Sequence, residues 1–232
     1  MGIPERKERE FKRRERQILQ AALRLFDGDD WQLVTIERIA HEAEIGKGTV
    51  YLHFPSKEDI YGRLALDFAR QLLSKLQHVD REMPTVERLD ASIRLVFDAH
   101  RAGRRYQRIV DFCNREEFRR RLDEATAAEL KQIDDAIGAL FLGLLQEGIA
   151  SGVFPERPMP MIIWGAHASI VGSVRLLAGN CGCLEPPAVD AVVDEVTRFM
   201  IAGLMYRDGS EGQLTASART ASSLADVVRQ AP

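Results

Sequence analysis

The chain has 232 residues, with 32 Lys/Arg against 35 Asp/Glu and 45% hydrophobic residues. That is the make-up of a folded globular protein of one or two domains, and it excludes a fibrous, low-complexity or wholly disordered chain. A net charge of −3 gives no global attraction for nucleic acid, so any such binding must rest on local placement of charge.

Three cysteines, Cys113, Cys181 and Cys183, are too few and too unevenly placed for a disulfide scaffold and fit a reducing compartment. Residues 1–16 carry seven Lys/Arg and four Glu with no apolar stretch behind them, so no secretory signal is expected. The longest run without a charged residue, 158–174, is 17 residues, short of the ~20 that a membrane span needs. A cytoplasmic protein without membrane contact is the expectation.

In chain order the signals are helical, and no alternating run between turn residues supports a strand. From Arg14 to Phe26 the apolar residues Ile18, Ala21, Ala22, Leu25 and Phe26 fall on one helix face. Asp27-Gly28-Asp29-Asp30 ends it. Thr35 is placed to cap a short helix that turns Ile36, Ile39, Ala40 and Ala43 inward. A tight turn over 43–46 leads to a third helix from Lys47 towards His53, ended by Phe54-Pro55. Ser56 caps the next helix, with Glu58 and Asp59 in its first turn. Longer helices are predicted over 57–79, 85–101, 105–119, 123–151, 159–178 and 187–206. The tail beyond 206 is read as disordered, with at most a weak helix near 223–229.

The second and third helices, joined by four residues, have the outline of a helix-turn-helix. Ile45, Val50 and Phe54 form the packing stripe of the third helix. Lys47, Gly48, Thr49, Tyr51 and His53 lie off it or at its edge, as donors for phosphates or base edges and, at Gly48, as room for close approach. Lys57 stands at a helix start that attracts phosphate. Taken singly, each of these residues fits a solvated or packed surface equally well; the ordered set is what points to DNA.

The segment from Gln17 to Tyr61 resembles the DNA-binding domain of the tetracycline-repressor (TetR) family. Ala21-Ala22, Phe26, Thr35, Ile39-Ala40, Gly48-Thr49, Tyr51, His53-Phe54 and Lys57 fall in register with it. The run Glu147-Gly148-Ile149 with Gly152 and Phe154 resembles the end of the family's long seventh helix. Glu44 stands where the family often has Gly, and Gly46 where Ser is common. The resemblance implies an all-α fold of about nine helices. Residues 1–61 would be an N-terminal arm and helix-turn-helix domain, 62–206 an effector-binding and dimerisation domain, and 207–232 a tail. It further implies a homodimer on a partly palindromic double-stranded operator, acting as a repressor released by a small, mostly apolar molecule. The alternative is a helical small-molecule-binding protein that no longer binds DNA.

In the C-terminal part, Gly165, Ser169 and Gly172 form a small-residue stripe suited to close helix packing. With Val193, Val196 and Met200 of the last helix they are the expected dimer interface, or ordinary core. Phe97, Phe112, Phe141, Trp164 and His167, with Cys113 beside them, are candidate ligand-lining residues; core packing explains the same spacing. A basic stretch at Arg101, Arg104, Arg105, Arg108, Arg115 and 119–121 is read as solvated surface, with an anionic ligand as the other possibility. No catalytic constellation, metal pattern or phosphate loop is found, so no enzyme, cofactor or metal is expected.

Overall fold

The computed structural model describes residues 3–26, 33–101, 109, 116–178 and 188–207. Among them every regular element is helical. They are α1 (Ile3–Phe26), α2 (Ile36–Glu42), α3 (Lys47–His53), α4 (Lys57–Gln77), α5 (Thr85–Arg101), α6 (Glu116–Arg119), α7 (Glu124–Ala150), α8 (Met159–Ala178) and α9 (Val189–Met205).

The first helix begins at Ile3, not near Arg14 as the apolar spacing suggests. Its N-terminal half carries no apolar stripe to read, but Glu, Arg and Lys are good helix formers. The pairs Glu8–Lys12 at 2.8 Å and Glu10–Arg13 at 3.8 Å lie at helical spacing and support it. Of the predicted 105–119 helix, only Ile109 and the single turn α6 fall within the described residues. The expectations for 27–30, 179–187 and 208–232 lie outside them, as do Cys113, Cys181 and Cys183.

Three helices and the start of a fourth build the N-terminal core. Ile18, Ala21, Ala22 and Phe26 meet Ile36, Ile39 and Ala40, Val50 of α3, and Ile60, Tyr61 and Leu64 of α4. Each large apolar side chain buried here contributes about 1.5–3 kcal/mol. Phe26 and Tyr61 stack with ring centres 4.3 Å apart, and Phe118 of α6 meets Tyr61 edge-on at 6.2 Å. Ile109 and Phe118 are buried in this same cluster, so a segment from beyond α5 completes a core that the sequence reading assigned to residues 1–61 alone.

The start of α4 is fixed by the predicted cap. Ser56 Oγ accepts from the Asp59 amide at 3.1 Å, and the Asp59 carboxylate accepts from the Ser56 amide at 2.9 Å, a reciprocal capping box. The helix then runs along α7, where Gly62 leaves room for Leu122; a Cβ at that position would lie 2.5 Å from Leu122 Cδ2. Leu89, Ile93 and Phe97 of α5 pack with Leu144 and Leu145 of α7, Val174 of α8, and Val193 and Met200 of α9. Arg94 of α5 bridges Asp90 and Asp194, tying α5 to α9.

At the end of α7 the chain turns a tight corner. The Phe154 amide bonds to the Gly148 carbonyl at 2.9 Å, and Phe154 packs flat on Gly148. Gly152 supplies the left-handed backbone, with φ 72°, that an L side chain resists. The likeness of this segment to the family's helix end thus has a steric basis. Helix α8 is long and apolar enough, over Met159–Leu177, to cross a membrane by length and composition alone. It has a packed side, however: Ile162, Ala166, Ile170 and Leu177 lie against the C-terminal core.

Candidate functional site

The turn between α2 and α3 is built by backbone geometry. The Ala43 amide bonds to the Ile39 carbonyl at 2.9 Å, Glu44 to His41 at 3.0 Å and Ile45 to Ala40 at 3.0 Å. The last two are the paired bonds of a Schellman turn, whose pivotal residue takes a left-handed conformation. That residue is Glu44, at φ 54°, the position where the family often has Gly. Ile45 then tucks against the core, and Gln17 Nε2 caps the Ala43 carbonyl at 2.7 Å. Arg24 of α1 donates to Glu42 at 2.5 Å. Neither α1 contact is visible in a local sequence pattern.

Thr35 caps α2 as expected, its hydroxyl oxygen accepting from the Arg38 amide at 3.3 Å. The residue itself is exposed, and its hydroxyl donates to the Glu37 carboxylate. On α3, Val50 is buried while Lys47, Gly48, Tyr51 and Leu52 face outward and Thr49 is half-buried. A Cβ on Gly48 would meet nothing within 4 Å, so this face is open. Leu52 is 78% exposed; it belongs to the same face although the sequence reading gave it no role.

Two basic residues of the set are engaged inside the chain. Lys47 Nζ is ion-paired to Glu37 of α2 and lies 5.7 Å from the Tyr51 ring centre. The Lys47 hydrogen bond, with smaller help from backbone and Thr35, holds the Glu37 carboxyl down at about 2. Lys57 Nζ donates to the Val34 carbonyl at 3.1 Å, linking α4 to the segment before α2. It is half-buried, so it is a brace within the head as well as a cation at a helix start.

His53 departs from its expected outward position. Its ring packs on Phe11 of α1 with centres 4.1 Å apart, and Nδ1 is buried without a hydrogen-bond partner among the described residues. Burial pushes its pKa below 6.5, with Glu15 opposing and Arg14 adding to the shift. The residue sits at the last turn of α3, where the extended α1 passes; the apolar spacing alone starts α1 at Arg14, beyond Phe11.

In the C-terminal part the ligand-lining candidates separate. Phe97 is fully buried in the C-terminal core. Phe141 is half-buried and borders a cleft of about 550 Å³ between the end of α4, α5 and α7. Trp164 is 72% exposed and His167 is exposed; neither lines that cleft. Phe112 lies outside the described residues. The cleft instead has Leu76, Leu140, Phe141 and Leu144 as apolar walls, with Arg81, Arg88, Ser92 and Glu147 among its polar groups. Of the basic stretch, Arg120 pairs with Glu116 and Arg121 with Glu58. Among the described residues no group of three His, Cys, Asp or Glu is placed to hold a metal ion.

The dimer candidates are corrected in part. Val193 and Met200 are buried in the chain's own core, and Val196 packs against it. Their stripe faces α5 because α9 leans on that helix. The large apolar residues left outward on α9 are Val189, Phe199, at 71% exposure, and Met205, with Tyr206 just beyond its end. On α8, Met161, Trp164 and Leu176 are outward with exposed Gly165, and Ser169 and Gly172 are half-buried; a Cβ on Gly165 or Gly172 would meet nothing within 4 Å.

Residues 18–64 match the sequence profile of "Bacterial regulatory proteins, tetR family", and this segment is the one that folds into α1 through the start of α4. Over these residues the chain carries a tetR-family segment. The chain is 26% identical over 197 residues to the HTH-type transcriptional repressor KstR2 of Mycolicibacterium smegmatis, covering 84% of this chain and 92% of that one. It is 26% identical over 144 residues to the fatty acid metabolism regulator protein of Bacillus subtilis, covering 60% of this chain and 70% of the relative. In fold it resembles the fatty acid degradation regulator FadR of Bacillus halodurans, with a TM-score of 0.66, 21% identity and coverage of 83% and 97%. It also resembles the transcriptional regulator FadR of Bacillus subtilis solved with stearoyl-CoA, with a TM-score of 0.62, 21% identity and coverage of 81% and 97%.

Proposed function

We propose that the protein is a ligand-responsive transcriptional regulator, a repressor that binds a partly palindromic operator as a homodimer and leaves it on binding a small, largely apolar molecule. The observation that carries this reading is the α2–turn–α3 unit. Its Schellman turn fixes the angle of α3, and the outward face of α3 presents Lys47, Gly48, Thr49 and Tyr51 together. A seven-residue helix at ~1.5 Å rise per residue fits the ~12 Å width of the major groove. Thr35 and Lys57 flank it at two helix starts, where backbone amides favour phosphate.

Dimerisation is supported by the outward apolar faces of α8 and α9. Exposed Met161, Trp164, Leu176 and Phe199 together form a surface that a monomer would keep wet, and the open glycines let a partner helix come close. On this reading Gly165, Ser169, Gly172 and Trp164 face the second copy, and α8 serves as an interface helix. Repression and an acyl ligand are supported by the relatives: one is a transcriptional repressor and another a fatty acid metabolism regulator, and a protein of the same fold holds stearoyl-CoA. The effector site is placed in the α4–α5–α7 cleft, and the protein acts in the cytoplasm, where the chromosome is.

The test is selection of bound fragments from a random duplex pool by the full-length protein, followed by gel shift of the winner. Enrichment of a two-fold symmetric sequence and its release by an acyl thioester are expected. Failure to enrich any sequence overturns the DNA-binding reading.

A further inference from the structure

The α4–α5–α7 cleft is apolar on its walls and carries a concentrated ionic group at one end. Arg88 of α5, with 18% side-chain exposure, directs Nη1 at both oxygens of Glu147 at 2.8 Å. Thr85 Oγ1 donates to the same carboxylate at 2.6 Å. All the donors of this cluster thus converge on one carboxylate that comes from the opposite helix. Glu147 is 47% exposed, so it can swing to water at little cost, whereas Arg88 is held in the wall. Arg81 adds a second positive charge to the lining, with no ion-paired carboxylate among the described residues. Ser92, buried at 4% exposure, is a further polar group of the lining.

We propose that Glu147 occupies the place of a ligand's anionic group, and that the effector is an amphiphile whose carboxylate or phosphate displaces Glu147 from Arg88 and Thr85 while its apolar body lies along Leu76, Leu140, Phe141 and Leu144. The inference rests on the effector site proposed above and names the chemistry of its ligand. A neutral apolar molecule would fill the walls and leave the ionic cluster untouched. An oxyanion gains a charge-assisted hydrogen bond that a neutral group cannot replace, and Arg81 supplies the net positive charge that a swap of one anion for another requires.

The exchange has a mechanical consequence. The Arg88–Glu147 and Thr85–Glu147 bonds link the start of α5 to the end of α7, one residue before the rigid Gly148–Phe154 corner. Replacing Glu147 by a ligand anion cuts this link and leaves α7 held to α5 by apolar packing alone at that end. Helix α7 packs along α4, which begins at the DNA-binding head, so the cut lies on a path between ligand and head.

Calorimetric titration of the full-length protein with decanoate, decyl phosphate and neutral 1-decanol tests this. The wild type is expected to bind the tighter of the two anions about ten-fold or more better than 1-decanol, the preference a charge-assisted bond gives. Glu147→Gln should tighten both anions several-fold and leave 1-decanol unchanged, since only the competing charge is removed. Arg88→Gln should abolish the preference for anions. Gly143→Phe, which projects into open space at the cleft wall, should weaken all three probes and so place them in the cleft; an unchanged melting curve for each variant keeps the comparison sound. Equal affinity of wild type for anions and 1-decanol overturns the proposal, as does anion binding unaffected by Arg88→Gln or by Gly143→Phe, or no binding of any probe. Operator binding is measured separately: its absence would overturn the regulator reading and leave the anion-exchange result standing.

Discussion

Lys47, the first residue of α3, is ion-paired to Glu37 of α2 across the helix-turn-helix. The pair is exposed, with about half of each side chain open to water, so it adds little to stability. On the proposed reading it bears on recognition, since Lys47 must leave a carboxylate before it meets DNA.

Glu37→Gln is therefore expected to strengthen DNA binding across all sequences, specific or not, and to do so most at low salt, where surface charges are least screened. Lys47→Ala should weaken binding and lower the slope of log affinity against log salt by about 0.9, the value of one phosphate contact. Affinity measured by fluorescence anisotropy over a salt series checks both. Equal binding by wild type and Glu37→Gln would mean that the pair stays closed on DNA.

Glu44 holds a left-handed backbone, at φ 54°, that costs an L side chain about 1–2 kcal/mol. Its own amide and that of Ile45 make the bonds of the turn, which need the backbone and not the side chain. Glu44→Gly should raise unfolding free energy by up to about 1 kcal/mol, part of the gain being offset by the freer unfolded chain. Chemical denaturation gives the number; a loss of stability would show that Glu44 makes a contact worth more than the strain.

Gly148 is the reverse case. A Cβ there would lie 2.1 Å from the Phe154 ring, an overlap that forces either α7 or the corner to move. Gly148→Ala should cost about 1–3 kcal/mol, typical of overpacking, and raise the sensitivity of the chain to protease after Ala150. Gly143→Ala in the same helix meets nothing within 4 Å and should be neutral or slightly stabilising.

Much of this was legible in the sequence. The Thr35 and Ser56 caps, the 43–46 turn and the inward stripe of Ile36, Ile39 and Ala40 are local patterns, and the structure has them where the residue order puts them. What failed was the choice between faces. In α9, Val193, Val196 and Met200 form a good stripe with the exposed Phe199 outside it, and only packing against α5 and α8 decides whether that stripe meets the chain's own core or a second copy. In α8 nearly every residue is apolar or small, so periodicity is weak and Trp164 and His167 could be assigned to either side. Long-range partners such as Phe118 in the head core and Phe11 on His53 leave no trace at helical spacing at all.

The His53 ring gives a pH dependence with a defined sign. Its folded pKa lies below 6.5 because burial disfavours the charged form, so the unfolded chain binds a proton more readily. The stabilising contribution is complete above 6.5 and is lost as pH falls through that value towards the folded pKa. Melting temperature measured between pH 7.5 and 5 should fall more steeply for the wild type than for His53→Gln. Parallel curves would show that the ring protonates without leaving Phe11.

Phe199 and Trp164 should carry the subunit contact. Phe199→Asp, placing a charge on an outward apolar face, is expected to shift the protein to monomers in sedimentation at micromolar concentration and to weaken operator binding with it, while far-ultraviolet circular dichroism stays helical. A Phe199→Asp protein that remains a dimer would move the interface off this face.

The central claim is that the outward face of α3 reads DNA as part of a symmetric dimer. It is tested most directly by protecting an operator, selected from random duplex, against hydroxyl radicals with wild type and with Lys47→Ala. Two protected patches are predicted, centred one helical turn of about 34–36 Å apart or a multiple of it, both lost together in the variant at a concentration that saturates the wild type. A single patch, or protection unchanged by Lys47→Ala, would contradict it.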